Sequence, residues 1–332
     1  MVVVLRGNMI KDKINVIFTG LFRDREGNMS VVDKLSTIKN AGIKNIYWYT
    51  WSQQPSPQSF VLQKKFLESN NVTVRQIDEP FPHKGSSIPG RDRQIFNIKK
   101  ALQDFKEEDI IVKLRWDLDF SNALFYNLQN PQYLSPVDSG MIRNKVWTAF
   151  YSIQELFSPS DQAFAGYKRD LDKIINFNFD INGVSSHHYI SHDGMMLMPK
   201  FISKNKDVLE LIKEDIPKPA SLMFEESHYE DQRYLNAWAY SYYIFNKYFK
   251  TGPLGTSYLL KADQYRIPNS IVDYDRFKHN YDTVIGKAPK LGMFPKYRAY
   301  DDVFINRLIS GFYDDLFANK IYDILSKTCY NI

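Results

Sequence analysis

The sequence has few of the features that would assign it to a common class of protein. Its one cysteine, Cys329, excludes a disulfide within the chain and fits a reducing compartment. No segment approaches the roughly 20 consecutive apolar residues that a transmembrane helix needs. Lysine and arginine outnumber aspartate and glutamate by only 43 to 38, so the charge gives no reason to expect a nucleic-acid partner.

The amino-terminal stretch MVVVLRGNMIKDK contains four apolar residues between Met1 and Arg6. That run is too short for the apolar region of a secretory signal peptide. We therefore expect a cytoplasmic protein whose closest association with a bilayer is peripheral contact.

Aromatic residues are abundant, with 22 Tyr and 23 Phe, and 44% of the 332 residues are hydrophobic. Aromatic side chains line sugar-handling surfaces, but they also bury large areas in ordinary cores. We interpret most of them as core packing. The composition therefore predicts a large core and no particular ligand, and the length allows one large domain or two.

The most informative stretch is Asp109–Phe120, which reads DIIVKLRWDLDF. Its apolar, β-prone first half predicts a buried strand. Alternation along that strand would place Lys113, Arg115, Asp117 and Asp119 on one face. Two carboxylates two residues apart at a strand end can bind one hard cation such as Mg²⁺ or Mn²⁺. The structural alternative is a strand followed by an acidic turn.

The preceding residues alternate between strand and helix patterns. This order is typical of βαβ units and predicts a mostly parallel sheet that the Asp-x-Asp strand joins as its fourth strand. In such sheets, ligands bind beyond the carboxyl ends of the strands. The predicted strands are 14–19, 45–51 and 72–77, and the predicted helices are 30–41, 60–69 and 92–105.

The second half of the chain has a looser pattern. We expect a helix within residues 163–175 and a long helix over 227–249, which Ser227 and Glu230 would begin as a capping box. Residues 301–326 predict one or two amphipathic helices with aspartate on the polar side, which favours packing on protein over membrane binding.

These elements together resemble a glycosyltransferase of the GT-A fold over about residues 14–240. The resemblance rests on the βαβ half, on Asp117-Leu-Asp119, on Gly194 before an apolar run, and on the acidic helix start Tyr229-Glu-Asp231.

Within that fold the chain is most similar to the WavE lipopolysaccharide synthesis family. That similarity rests on three short segments. They are Gly90-Arg-Asp-Arg93-Gln-Ile, Val112-Lys-Leu-Arg115-Trp-Asp117, and Ser160-Asp161 followed by Ala165-Gly166.

The resemblance implies an α/β fold with a Rossmann-like, mostly parallel mixed sheet flanked by helices, and a C-terminal helical extension. It implies one catalytic domain over residues 1–250, with a nucleotide-binding half at about 14–120 and an acceptor half at about 121–250. Residues 251–332 would pack on it as the extension, and these C-terminal helices would also serve any oligomer.

The resemblance also implies an inverting, metal-dependent transfer from a nucleotide-sugar donor to a saccharide or lipid-linked saccharide. The product would be a bacterial surface glycan, either lipopolysaccharide or capsule, made in the cytoplasm or at the inner membrane. Asp117 and Asp119 would hold Mn²⁺ or Mg²⁺, and Asp231 would be the general base. Donor contacts would come from Thr19, Gly20, Phe22, Arg23, Trp51, Arg93, Arg115 and Gly194.

Each of these roles has a structural alternative. Asp231 would also suit a helix start electrostatically, and Glu230 fits helix capping better than catalysis. Trp51 is as well explained by the core, and Arg93 by a solvated first helical turn. His187, His188 and His192 suggest zinc, but they lack the cysteine or further histidine spacing of zinc sites.

Two other functions fit the same motifs. A glycan- or nucleotide-binding protein would keep the fold without turnover, and a metal-dependent phosphotransferase or hydrolase would use the same carboxylates. The identity of the phosphate-containing product separates the three.

Overall fold

The structure is a computed structural model, and it describes the following parts of the chain. They are residues 10–22, 29–78, 90–116, 118–137, 140–149, 163–175 and 247–251, with residues 159, 180–181, 184–185, 201, 240–241 and 244.

The described residues form nine strands and five helices. The strands are β1 (Ile14–Thr19), β2 (Asn45–Trp51), β3 (Val72–Ile77), β4 (Ile110–Leu114), β5 (Val146–Thr148), β6 (Phe164–Tyr167), β7 (Asp180–Ile181), β8 (Val184–Ser185) and β9 (Phe249–Thr251). The helices are α1 (Val31–Asn40), α2 (Pro57–Ser69), α3 (Gly90–Leu102), α4 (Ala123–Leu128) and α5 (Lys168–Ile174).

Seven strands make one mixed sheet in the order β3-β2-β1-β4-β6-β5-β9. The first four pair in parallel, β6 is antiparallel to both β4 and β5, and β9 is parallel to β5. The expected fold class is therefore confirmed: the protein is α/β, with a mostly parallel mixed sheet flanked by helices and a Rossmann-like order in its first half.

One face of the sheet carries the main apolar core. Alternate residues of β1 and β4, such as Val16 and Val112, meet the buried stripes of α1, α2 and α4 there. The stripe of α1 repeats at helical spacing, with Val31, Leu35 and Ile38 all buried. The hydrophobic periodicity of the helices and strands therefore explains why these helices pack on this face of the sheet.

The other face is covered by α3 and α5, which contact each other. Helix α3 also contacts β1 and β2, and its Ile95 and Ile98 are buried against that side. Lys113 of β4 is fully buried and lies over the ring of Phe164, 5.8 Å from its centroid. Both faces of β4 are thus buried, as expected for a central strand.

Several expectations about element bounds were wrong. Helix α3 spans Gly90–Leu102 and not 92–105, because hydrogen bonds between residues three apart turn the backbone over residues 103–105. Helix α2 begins at Pro57, three residues before the expected start, because proline is tolerated in a first helical turn. Residues 164–167 form strand β6, since Ala165 pairs with both Val112 and Trp147 and sheet pairing outweighs local helix propensity. The helix expected over 227–249 was predicted one residue too long, because Phe249 begins strand β9.

Two further expectations concerned the C-terminal part of the chain: a long helix from residue 227 and a helical extension. The C-terminal extension over 252–332 and most of the helix from 227 lie outside the described residues. The sheet continues past residue 120 through β6, β5 and β9, so the two expected halves share one sheet. Their division into nucleotide and acceptor halves stays a prediction.

A buried carboxylate anchors the antiparallel part of the sheet. The side chain of Asp170 is fully buried and accepts hydrogen bonds from the backbone N–H groups of Arg143 (2.8 Å) and Asn144 (3.2 Å). Burial raises the pKa of Asp170, while these two donors and the Arg169 guanidinium act in the opposite direction. The carboxylate therefore fixes the segment that leads into β5.

We expect Asp170→Ala to lower the free energy of unfolding by about 2–4 kcal/mol, because two backbone N–H groups lose a buried acceptor. Urea denaturation followed by circular dichroism measures this loss. Asp172→Ala is the matched control, since Asp172 lies on the same helix, is exposed, and forms an ion pair with Lys168 at 2.6 Å. Its cost should stay within about 0.5 kcal/mol, and equal losses in the two variants would contradict the assignment.

Candidate functional site

The strand order places a topological switch point between β1 and β4, and we call the space beyond the carboxyl ends of these two strands the crevice. The chain winds from β1 through β2 to β3 by way of α1 and α2 on one face, and it returns to β4 by way of α3 on the other. The direction of winding therefore reverses between β1 and β4. In open α/β sheets, ligands bind at this position, outside the carboxyl ends of the strands. The residues that follow β1 and β4 are accordingly the candidate site.

Asp119 lies at this crevice and is tied to the beginning of α1. Its Oδ1 accepts the backbone N–H of Met29 at 3.0 Å and lies 3.9 Å from the ammonium nitrogen of Lys34. Its side chain is 10% exposed. An acidic side chain beside a helix start is favoured by the helix dipole, so the position of Asp119 is electrostatically suitable.

Helix α1 is well fixed at this end. Ser30 is its N-cap: the Ser30 hydroxyl accepts the N–H of Asp33 at 3.1 Å, and the Asp33 carboxylate accepts the N–H of Ser30 at 3.3 Å. This reciprocal capping box holds the backbone that presents the Met29 N–H. The contact with Asp119 thus joins the loop after β4 to a rigid helix start.

Lys34 makes a second contact with the loop after β4. Its side chain is only 1% exposed, and its ammonium group donates to the carbonyl oxygen of Trp116 at 2.5 Å. The chain turns at this point, because the N–H of Leu118 donates to the carbonyl of Arg115 at 3.3 Å. One buried ammonium group therefore holds both the turn and the carboxylate that follows it.

The turn also changes where Asp119 lies. Alternation was expected to put Asp119 on the same face as Lys113. The strand ends at Leu114, and the turn interrupts the alternation, so Asp119 contacts α1 instead. That helix packs on the face opposite to the Lys113 side chain.

A cluster of aromatic rings forms the base of the crevice. Trp116 stacks on Phe18 with ring centroids 3.8 Å apart and planes at 8°. Phe22 packs against Trp116 and Trp48, with centroids 5.2 and 5.7 Å away. The strand ends are therefore bound to each other by stacking and edge contacts.

Gly20 brings bare backbone to the crevice directly after Thr19, the last residue of β1. It has a φ of 89°, which glycine adopts without strain, and, apart from its chain neighbours, no atom of the described residues lies within 4 Å of where a side chain would begin. Its N–H donates to the Tyr49 carbonyl at 3.0 Å, and its carbonyl accepts the indole N–H of Trp48 at 2.9 Å. These bonds fix the turn, and the described residues leave one side of Gly20 open.

The structure brings some of the expected donor contacts together and separates others. Thr19 ends β1, Gly20 and Phe22 follow it, and Arg115 follows β4, so these four border the same crevice. Phe22 packs against the core there.

Two expected contacts belong to the other face of the sheet. Trp51 is 8% exposed and stacks on Phe96 of α3, with centroids 6.4 Å apart. Arg93 lies on α3 and is partly buried. Asn97, one turn further along, donates weakly to the Tyr49 carbonyl at 3.4 Å and anchors α3 to β2. Burial and a hydrogen bond to Asp104 raise the pKa of Tyr49.

The remaining expected site residues lie outside the described part of the chain. They are Arg23, Asp117, Gly194 and Asp231, together with Glu230 and the three histidines at 187, 188 and 192.

Sequence reasoning missed Lys34, and a signal for it was present. Lys34 falls on the buried stripe of α1, between Val31 and Ile38 at helical spacing. A lysine on an apolar stripe requires a buried partner, because an isolated buried charge is costly. That partner is the loop after β4.

A metal ion would need several oxygen ligands at this site. Asp119 fits the role of one such ligand, since its carboxylate lies at the strand ends in a largely water-excluded position. Among the residues described, no group of three or more His, Cys, Asp or Glu side chains is arranged to hold a metal ion. Further oxygens would come from other groups, such as Asp117, water or the phosphates of a substrate.

Comparison of the sequence with protein-family models and with curated proteins gives no match. Among solved structures, the chain is similar to the mannosyltransferase PcManGT from Pyrobaculum calidifontis, which was solved in complex with GDP-Man and Mn²⁺. The match covers 92% of this chain and 87% of that chain, with 11% sequence identity and a TM-score of 0.34. Similarity at this level carries no argument about substrate or mechanism.

Among the helices described here, none combines the length and apolar character that crossing a membrane requires.

We expect Trp116→Ala to cost about 3–5 kcal/mol of unfolding free energy, because the ring is 1% exposed and stacked on Phe18. Trp116→Phe should cost much less, because phenylalanine keeps a stacking ring and removes an indole N–H that is buried without a hydrogen-bond partner in the described structure. Urea denaturation measures both losses.

Leu62→Ala is the surface control for this comparison, since Leu62 is 69% exposed and should cost at most about 0.5 kcal/mol. A Trp116→Ala loss as small as that of the control would show that the aromatic cluster does not hold the strand ends together.

Proposed function

We propose that this chain is a glycosyltransferase that transfers a sugar from a nucleotide-sugar donor to a saccharide or lipid-linked saccharide. The observation that carries the proposal is the position of Asp119. It places a carboxylate, held by Met29 and Lys34, at the switch point of a mostly parallel sheet. Asp119 is also the second aspartate of the Asp-x-Asp motif in the sequence.

The strand ends supply what the nucleotide part of a donor needs. The open side of Gly20 allows a phosphate or ribose to approach the backbone closely. Thr19 contributes a hydroxyl, and Arg115 can approach a diphosphate from the neighbouring strand end. Arg23 would follow from the loop after β1. Trp51 and Arg93, on the α3 side of the sheet, would contact the base or sugar.

Asp119, together with Asp117, would hold Mn²⁺ or Mg²⁺ near the diphosphate. Such an ion, when bound, neutralises charge that develops on the leaving diphosphate as the anomeric bond breaks. The chain's own part in this step is to hold the Asp119 carboxylate in place through the Met29 N–H and to exclude water with the aromatic cluster.

Asp231 is the proposed general base. It would take the proton of the acceptor hydroxyl as that oxygen attacks the anomeric carbon from the side opposite the diphosphate, which inverts the configuration. Gly194 would border the transferred sugar. The proposed product is a bacterial surface glycan, either lipopolysaccharide or capsule, made in the cytoplasm or at the inner-membrane surface.

The reaction products give the first test. With the matching donor and acceptor, the wild-type protein should release a nucleoside diphosphate in proportion to sugar transfer. Asp119→Asn should lose Mn²⁺-dependent nucleotide binding and nearly all release, with its fold checked by circular dichroism. Full metal-dependent activity in Asp119→Asn would contradict the role of this carboxylate.

The nature of the product also separates the alternatives. Donor binding without release would favour a binding protein, and release of a monophosphate or inorganic phosphate would favour a phosphotransferase or hydrolase. A panel of UDP-, GDP- and CDP-sugars, each assayed with and without acceptor, covers these outcomes.

A pair of variants tests the base. Loss of a positioned base typically costs about 10²–10⁴ in rate, so Asp231→Asn should lose most of its transfer rate while keeping donor affinity. Glu230→Gln should be much milder, because helix capping contributes only about 1 kcal/mol. If Glu230→Gln is inactive and Asp231→Asn is active, then Glu230 is the base. If both transfer normally, the helix start is structural.

A further inference from the structure

Lys34 places a positive charge where the proposed cation would bind. Its ammonium nitrogen lies 3.9 Å from Asp119 Oδ1, and the two side chains are 1% and 10% exposed. Charges withdrawn from water interact more strongly than exposed ones, because the effective dielectric constant is lower. Asp119 is therefore already balanced by an internal cation before any ligand arrives.

A metal ion held by Asp119 would share that carboxylate with the Lys34 ammonium group. The repulsion between a divalent cation and the ammonium charge opposes binding of the bare ion. A diphosphate that arrives with the ion brings enough negative charge to offset both cations. The site therefore discriminates between a free metal ion and a metal–diphosphate complex.

We propose that Lys34 makes cation binding at Asp119 conditional on the diphosphate of the nucleotide donor. This inference rests on the proposed function, since it assumes that a metal and a diphosphate meet at Asp119. Lys34 acts through the Asp119 carboxylate, so it is a positioning residue. It also determines the order in which the metal ion and the nucleotide bind. The metal then enters and leaves with the nucleotide.

The contact between Lys34 and the Trp116 carbonyl at 2.5 Å provides the competing explanation, in which the lysine only anchors the turn. Two substitutions separate anchoring from charge. Lys34→Gln keeps a hydrogen-bond donor and removes the charge, and Lys34→Met removes both. Lys39→Met is the matched control, because Lys39 is an exposed lysine on the same helix.

The experiment measures Mn²⁺ binding to the full chain in the absence of any sugar donor. Mn²⁺ titrations followed by electron paramagnetic resonance give the affinity, and the shift in Tm caused by Mn²⁺ reports binding to the folded state. Each titration is repeated with UDP, GDP and CDP in turn. Circular dichroism shows whether each variant is folded.

The wild-type protein and Lys39→Met should bind Mn²⁺ weakly alone and at least about tenfold more tightly once a matching nucleoside diphosphate is present. Lys34→Gln should bind Mn²⁺ alone at least about tenfold more tightly than the wild type, and its Tm should rise with Mn²⁺. A turn that merely loosened would weaken Mn²⁺ binding instead.

The inference is overturned if Mn²⁺ binds Lys34→Gln and Lys34→Met no more tightly than the wild type. If neither variant folds, the wild type still decides, because the absence of coupling between Mn²⁺ and every nucleoside diphosphate overturns it. Failure of the proposed function is a separate result. In that case metal binding follows the pattern above, but the protein releases no nucleoside diphosphate from any sugar nucleotide.

Discussion

The buried ammonium group of Lys34 is the contact on which the geometry of the crevice depends. It joins α1 to the loop after β4 through the Trp116 carbonyl and the Asp119 carboxylate. Removing either partner would leave a buried group without its counterpart, which costs far more than an exposed pair contributes. The same contact that stabilises the loop therefore sets the charge of the proposed site.

The aromatic cluster complements this polar link. Phe18, Phe22, Trp48 and Trp116 fill the space beneath the strand ends, and only the Trp48 indole donates into the turn, at the Gly20 carbonyl. Rigid packing below and a charged link above keep the backbone of Gly20 and the carboxylate of Asp119 at fixed positions. Fixed positions matter because catalytic groups work only within a narrow range of geometry.

Much of the first half of the fold could be predicted from the sequence, because its signals are local. The β-prone runs of β1, β2 and β3 and the periodic stripe of α1 lie within short windows, and their bounds were predicted to within a residue. The β6 strand could not be predicted in this way, since its structure depends on pairing with β4 and β5, which are distant in sequence.

The candidate site likewise combines features that could be predicted from the sequence with features that could not. Asp119 was predicted at the end of β4, because the motif and the strand pattern are both visible in the sequence. Its orientation was not, because the turn from Arg115 to Leu118 interrupts the alternation on which the prediction relied. The partner Lys34 is 85 residues away in sequence, so it could only be suspected as a lysine on an apolar stripe.

The proposed function requires that the donor binds at the carboxyl ends of β1 and β4, beside Asp119. A crystal structure of the protein with Mn²⁺ and each of the UDP-, GDP- and CDP-sugars tests it directly. We expect a diphosphate between Gly20 and Asp119, with the metal ion bound to the Asp119 carboxylate. A nucleotide bound elsewhere on the chain, with no metal ion at the Asp119 carboxylate, would contradict this proposal.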